Sequence, residues 1–391
     1  MRFSGHTNEW QTKRIDTLFE FVPNNTISRD GLNYDGGGWK NIHYGDILTV
    51  FPTVLDIRDW HVPYISSATF SSQSSLSTGD VVIADTAEDY TAGKALEVVI
   101  SEGIKAVPGL HTIACHPKVS FAPGFLGYYL NSSAYKERLR PLIQGIKVYS
   151  ISKSSLATTS ISFPSHDEQY KIGLFLSIID RRIAVQNKII EALGRLKKAI
   201  YERIFGSDFF GATLQPLGDF MEIPKLEKEI RPDRSRLITV KLNEAGVVQN
   251  TNVESLKMSG TIYYKRSAGQ FIYGKQNLFH GAFGIVPKEL NGYCSSADVP
   301  SLSFSGGIEP SFLIRAISYC AYNWEKYSSG TGSKRIHEPT LLGLTVPIPA
   351  KEHIGRCKEL LDLIDHKIEC ERKLLRLMEM QKRYLLAEMF I

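Results

Sequence analysis

The side chains best suited to chemistry in this chain are cations, amides and aromatics gathered in loop-like stretches. Tyr264-Lys265-Arg266 and Lys275-Gln276-Asn277 stand in the second half, and Lys334, Arg335 and His337 follow a Gly- and Ser-rich run. The first half offers Asn33-Tyr34, Lys40, His43-Tyr44, Tyr90-Thr91 and Lys94. Lys147 and Tyr149 stand just after Gly145, as Lys334 and Arg335 stand just after Gly330. Lysine and arginine neutralise phosphate, arginine reads guanine, and asparagine and glutamine read adenine in the major groove. These residues are candidate contacts to double-stranded DNA. Taken singly, each is more often a solvated loop residue than a contact, so the set carries the argument.

Catalytic patterns are weak by comparison. Gly269-x-x-x-x-Gly274-Lys275 has the outline of a phosphate-binding loop, but Gln276 stands where a Ser or Thr must hold magnesium. Phe271-Ile272-Tyr273 also reads as strand. Pro232-Asp233 lacks the carboxylate-x-Lys of a metal-dependent nuclease, because Glu254 and Lys257 are one residue too far apart. His111, Cys115 and His116 have no fourth ligand nearby, which favours ordinary strand residues over a metal site. No catalytic residue and no metal are expected. The five cysteines form no C-x-x-C pair, which argues for reduced thiols.

The elements that must position these loops show in a repeat. Residues 164–205 match 349–390 at a constant offset of 185 without a gap, with identities at Pro164/Pro349, Leu176/Leu361, Ile179/Ile364, Asp180/Asp365, Ile183/Ile368, Lys188/Lys373, Lys197/Lys382 and Phe205/Phe390. In both copies the seam positions alternate in steps of four and three. The first reads Ile172, Leu176, Ile179, Ile183, Gln186, Ile190, Leu193; the second reads Leu361, Ile364, Ile368, Glu371, Leu375, Met378. This is a coiled-coil seam, interrupted by polar residues at the same layers. Each copy starts after a proline, and about 40 residues make a helix of roughly 60 Å. With a whole domain between them, the two helices can return antiparallel and pair within the chain. Gln186 then faces the neighbourhood of Cys370 and Glu371 at the middle, and burying the Gln and Glu unpaired would cost ~1–3 kcal/mol, so they should bond each other.

Weaker matches extend outside the helices: Gly145/Gly330 and Leu156/Leu341 at 185, Pro123-Gly124-Phe125-Leu126 with Pro310-Ser311-Phe312-Leu313 at 187, and the stretch from Ile15 with that from Leu217 at 202. The reading is a duplicated half: domains over 1–163 and 207–348, spacer helices over 164–206 and 349–391. The fold class is mixed α/β, two globular domains joined by two long antiparallel coiled-coil helices with pseudo-twofold symmetry. Expected strands are Ile47–Val50, Val81–Ile83, Glu97–Ile100, His111–Cys115, Leu237–Val240, Thr261–Tyr264, Gln270–Tyr273 and Phe283–Val286. Ala134–Ile143 and Phe312–Tyr327 are expected helices.

Composition agrees with an ordinary globular protein: 391 residues, 43% hydrophobic and 22% charged. The net charge of +5 divides into −1 over residues 1–165, +3 over 166–205, +2 over 206–350 and +1 over 351–391, so any nucleic-acid surface is a local patch. No apolar run would span a bilayer and residues 1–10 lack a secretory core, which leads us to expect a cytoplasmic protein away from membranes.

Several strings resemble the specificity subunit of type I restriction–modification systems. Residues 39–48 (WKNIHYGDIL) resemble the opening of a target-recognition domain, and residues 79–86 (GDVVIADT) its next strand. Phe163 to Gln169, followed by Asp180-Arg181-Arg182-Ile183, resembles the start of the first conserved helix. Val346-Pro347-Ile348-Pro349 opens the second, which departs by having His353-Ile354 in place of Glu168-Gln169. The resemblance covers essentially the whole chain. It implies a DNA-binding subunit without catalysis, in which each domain reads one half of a bipartite target and the helices set the gap. It also implies partners: two methyltransferase subunits bringing S-adenosylmethionine, and restriction–translocase subunits bringing ATP and Mg. The alternative is a self-associating coiled-coil scaffold without methyltransferase partners.

Overall fold

The computed structural model describes residues 9–58, 60–72, 74–206, 208–230, 233–252, 260–330 and 333–390; Glu254 and Lys257 lie outside the described residues. The chain forms two compact units, the first from residues 1–190 with 370–391 and the second from 191–369. The first long helix, His166–Phe205, and the second, Lys351–Glu388, therefore each contribute to both. No helix among the described residues is long and apolar enough to cross a membrane.

In the first unit, strand Thr112–Pro117 lies between Phe19–Val22 and Val81–Ala84, antiparallel to both. Val81–Ala84 pairs antiparallel with Ala95–Val99, which pairs parallel with Val54–Asp56. Side chains alternate across this sheet. Val81, Ile83, Ala95 and Cys115 face a core with Phe125, Tyr129, Leu176 and the end of the second long helix, at Leu385 and Met389. Val82, Ala84, Leu96, Val98 and Ala114 face an opposite core with Ile42, Ile47 and Leu55. Burial on both faces explains why these strands read as unbroken apolar runs.

The second unit repeats the order of the four antiparallel strands. Met221–Glu222, Ser301–Phe304, Phe271–Tyr273 and Phe283–Ile285 lie side by side, each neighbour antiparallel. Phe271 and Tyr273 face a core with Ile204, Phe312 and Leu361, while Ile272 faces Ile238, Val247 and Val286. The correspondence extends to register. Gln11–Arg14 pairs with Ser160–Phe163 in the first unit, and Thr213–Pro216 with Thr345–Ile348 in the second. Gln11 lies opposite Phe163 and Thr213 opposite Ile348, the same offsets of 202 and 185 read from the sequence. Helix Lys153–Thr158 likewise corresponds to Glu338–Gly343. The duplication thus covers the globular parts as well as the helices.

Most expected elements are present. Residues 47–50 are the exception: Ile47 belongs to the helix Tyr44–Thr49 rather than to a strand. The His43 ring nitrogen accepts from Gly45 N at 3.2 Å and caps this helix. Asp46 in its first turn is held by Arg29 at 2.6 and 2.9 Å. The expected helix Phe312–Tyr327 is split: its first part lies in the α-helix Pro310–Ala321, and Trp324–Tyr327 form a 3-10 turn.

Within each unit the two long helices run antiparallel. In the first, Asp180 meets Lys382 and Gln186 meets Glu371. In the second, Lys197 meets Asp365. The seam is buried at Ile172, Leu176, Ile179, Leu361, Ile364 and Ile368, and half-buried at Ile183, Ile190, Leu193, Leu375 and Met378. Gln186, 4% exposed, donates to the Glu371 carboxylate at 2.5 Å and to its backbone carbonyl at 3.1 Å. The helices thus pair inside one chain, which disfavours the scaffold reading. Replacing Glu371 with Ala leaves the buried Gln186 amide without its carboxylate and should lower unfolding free energy by about 1–3 kcal/mol in urea titrations. Adding Gln186→Leu should restore part of that loss.

Candidate nucleic-acid interface

In the first unit the candidate residues divide by how their polar atoms are used. Asn33 accepts from the backbone N–H groups of Asp35 and Gly36 and donates to Ser66, so it shapes its own turn. Tyr34 beside it is exposed. Lys40 donates to Ile57 O at 3.2 Å and lies over the Tyr64 ring, and Lys94 donates to Leu48 O at 2.9 Å. His43 is buried, and burial and nearby Arg29 hold its pKa down, which suits its role as acceptor. Tyr44 lies between His43 and His111, with ring centroids 4.6 and 5.3 Å away. Thr91 is tied to Asp89, while Tyr90 is exposed and its ring centroid is 4.4 Å from that of Tyr149. Lys147 is exposed in the same hairpin as Tyr149.

The second unit spends more of its charge internally. Arg266, only 2% exposed, donates to Ser295, Ser301, Ser296 O and Val299 O, and burial holds its pKa down to about 10. Lys275, 8% exposed, pairs with Glu338 at 2.9 Å. Both were expected at the surface; their neighbours in space, far along the chain, draw them inside. The Arg266 guanidinium lies 5.5 Å from the Tyr264 ring centroid, and Lys265 is paired with Glu227 and Glu229. Lys334 pairs with Glu325, and Arg335 approaches Asp298 at 3.6 Å. With its amide turned to accept, Gln276 takes a hydrogen bond from Arg335 at 2.9 Å. Ile336 N donates to Lys275 O, so the 275–277 and 334–337 segments, including exposed Asn277 and His337, come together.

The remaining chemistry is structural. Phe271–Tyr273 is paired on both sides, as expected of a strand rather than a phosphate loop. Cys115 points into the core, His116 bonds Asp80 at 2.6 Å and His111 approaches Asp85 at 3.4 Å. Among the described residues, no group of three or more His, Cys, Asp or Glu could hold a metal ion.

Each globular part is fastened to the helix pair by the same device. In the first unit Lys382 bonds Asp180 at 2.6 Å, and the Tyr128 hydroxyl donates to the same carboxylate at 2.9 Å. In the second, Lys197 bonds Asp365 at 2.6 Å and Arg315 donates to it at 3.0 Å. Asp180/Asp365 and Lys197/Lys382 are repeat identities, and Tyr128 and Arg315 correspond at offset 187. Sequence reasoning missed these pairs, although four of the sixteen identical residues were their signal. Glu97 steadies the first: its carboxylate accepts from Gly124 N at 2.7 Å and Gly127 N at 3.0 Å, at the start of the helix Phe125–Leu130 that carries Tyr128.

Comparison with known proteins agrees with this organisation. Residues 7–195 match the type I restriction modification DNA specificity domain. A putative type I restriction enzyme MjaX specificity subunit of Methanocaldococcus jannaschii is 22% identical over 389 residues, covering 93% of this chain and 89% of that one. The fold is shared with the crystal structure of a type I restriction-modification S subunit from M. genitalium, with a TM-score of 0.58, 15% identity and 100% and 97% of the two chains covered. It is also shared with a chain solved in work on complex assembly and conformational transition of the type I R-M system, with a TM-score of 0.59, 13% identity and 98% of each chain covered. Residues 7–195 thus carry a type I restriction modification DNA specificity domain, and over nearly its whole length the chain is similar to type I specificity subunits.

These bridges fix the helices that carry Tyr128 and Arg315 against the long helices. Two measurements check that fastening. For the ion pair, a double-mutant cycle with Asp180→Asn and Lys382→Met should give a coupling of about 0.5–3 kcal/mol in chemical unfolding. The same result is expected for Asp365→Asn with Lys197→Met. For Glu97, burial raises the carboxyl from 4.5 to about 7, against the pull of the backbone N–H groups. A raised carboxyl pKa stabilises the fold below the unfolded value, and that contribution is lost as pH rises towards 7. Relative to Glu97→Gln, the natural protein should therefore lose up to about 1.4 kcal/mol of stability per pH unit between pH 5 and 7.

Proposed function

We propose that this chain is the DNA-reading subunit of a type I restriction–modification complex, each of its two domains recognising one half of a bipartite target. The observation that carries the reading is the duplicated reading unit: one sheet order built twice, with the same lysine–aspartate bridge to the helix pair but different loops. Equal scaffolds with unequal loops suit unlike half-sites. The two helices set the gap between those half-sites.

The subunit itself is non-catalytic in this reading. A second apolar stripe on the long helices supports docking of two methyltransferase subunits. Leu174, Ile178, Val185, Ile189 and Leu196 are exposed on the first helix, and Leu363, Leu374, Leu377 and Met380 on the second. Ile178/Leu363 and Ile189/Leu374 correspond at offset 185, so the repeat offers equivalent surface twice. Exposed apolar area of this kind favours a protein neighbour. S-adenosylmethionine enters with the methyltransferases, and ATP and Mg with the restriction–translocase subunits. Adenine methylation requires the base to leave the stack and enter a methyltransferase pocket, which separates reading from chemistry. The assembly acts on double-stranded DNA in the cytoplasm.

Methylome sequencing of a host with and without the gene should show a bipartite adenine motif that vanishes with the gene. Footprinting of the complex should then show two protected blocks flanking an unprotected gap. One continuous block, or indifference to sequence, overturns the reading. Lys147→Ala should reduce the slope of log affinity against log salt by about 1.

A further inference from the structure

Among the described residues, the most exposed large apolar side chain of the first unit is not on the helices. Ile146 is 92% exposed, at the tip of the hairpin 144–150. That hairpin is closed by a reciprocal bridge, Gln144 N to Ser150 O at 2.9 Å and Ser150 N to Gln144 O at 2.8 Å. Its base is anchored where Tyr149 and Ser150 pair with Ala87 and Thr86. Gly145 makes the tight turn, at φ +135°, with no room for a Cβ, which would lie 1.8 Å from Val148 O. The tip is thus a braced projection.

What surrounds it indicates what it meets. Val148 is also exposed and Lys147 stands between the two aliphatics. Behind them Tyr90 lies against Tyr149, and the Arg140 guanidinium lies 5.5 Å over the Tyr90 ring. An aliphatic tip among cations and aromatics matches the chemistry of a DNA base step, a hydrophobic gap between charged backbones. Proteins insert such residues between base pairs, unstacking and kinking the duplex. At offset 185 the second copy has Thr331 in place of Ile146, so the device belongs to one half.

We propose that the 144–150 hairpin is a wedge and that Ile146 inserts between two stacked base pairs of the half-site read by the first domain. The inference rests on the DNA-reading function and adds to it an unstacked step that favours flexible pyrimidine–purine sequences.

The test uses the full-length chain assembled with its methyltransferase subunits, on duplexes carrying the methylome-defined target with 2-aminopurine placed in turn along each half-site. The natural protein should raise 2-aminopurine fluorescence at one step of one half-site. Ile146→Leu should keep that signal. Ile146→Ala and Ile146→Lys should abolish it and weaken binding roughly tenfold, the lysine variant despite its added charge. Unchanged fluorescence with Ile146→Ala, or tighter binding with Ile146→Lys, overturns the wedge while leaving the DNA reading intact. Loss of assembly with the methyltransferase in either variant also overturns it and makes the hairpin a protein contact. A natural complex that shows no preference for its target overturns both.

Discussion

The structure depends on what fixes the register of the two long helices. An apolar seam of repeating heptads is nearly self-similar, so sliding by seven residues sacrifices little packing. The polar contacts are not self-similar. Gln186 finds a carboxylate only at Glu371, and Asp180 and Asp365 find their lysines only in one alignment. Because the helices are copies at offset 185 and run antiparallel, contacts come in pairs. A bond from Asp180 to Lys382 implies one from Lys197 to Asp365. The exception is a bond between equivalent positions, and Gln186 and Glu371 are equivalent. A single duplication therefore generates a register lock with one central layer and two identical bridges.

That lock also explains which parts diverge and which do not. The carboxylates at 180 and 365 are shared between helix partner and globular domain, with Tyr128 on one side and Arg315 on the other. A hydroxyl and a guanidinium both donate to carboxylate, so the domain contact tolerates change while the helix contact holds. Further out the copies differ freely. The bridge Gln144–Ser150 recurs as Ser329–Arg335, but the residues it encloses share little beyond the glycine.

How much of this was legible follows from the range of the determining interactions. The helices were legible because heptads are local and repeat many times. The sheet strands were legible because both faces are buried, giving runs such as Val81–Ala84. Gln11–Arg14 was missed because all four of its side chains are exposed; only its partner Ser160–Phe163 makes it a strand. The segment 47–50 was misread because its β-branched and apolar run outweighed a cap formed by His43 and a brace from Arg29. Among the candidate contacts, Arg266 and Lys275 look in sequence like any loop cation. Their burial is decided by Ser295, Ser301 and Glu338, which no local pattern reveals.

The fate of those cations bears on how the subunit meets DNA. Lys265, Lys275 and Lys334 are each within 3 Å of a carboxylate. A paired cation reaching for phosphate must first give up its carboxylate, so its net gain is small, and the chain's own charge is only +5. In the proposed complex, affinity for the polyanion then comes largely from the partner subunits. What remains for this chain is discrimination, which depends on shape, aromatic and amide contacts held at a fixed angle. That division accounts for a reading subunit that invests its identities in a rigid helix lock rather than in a basic surface.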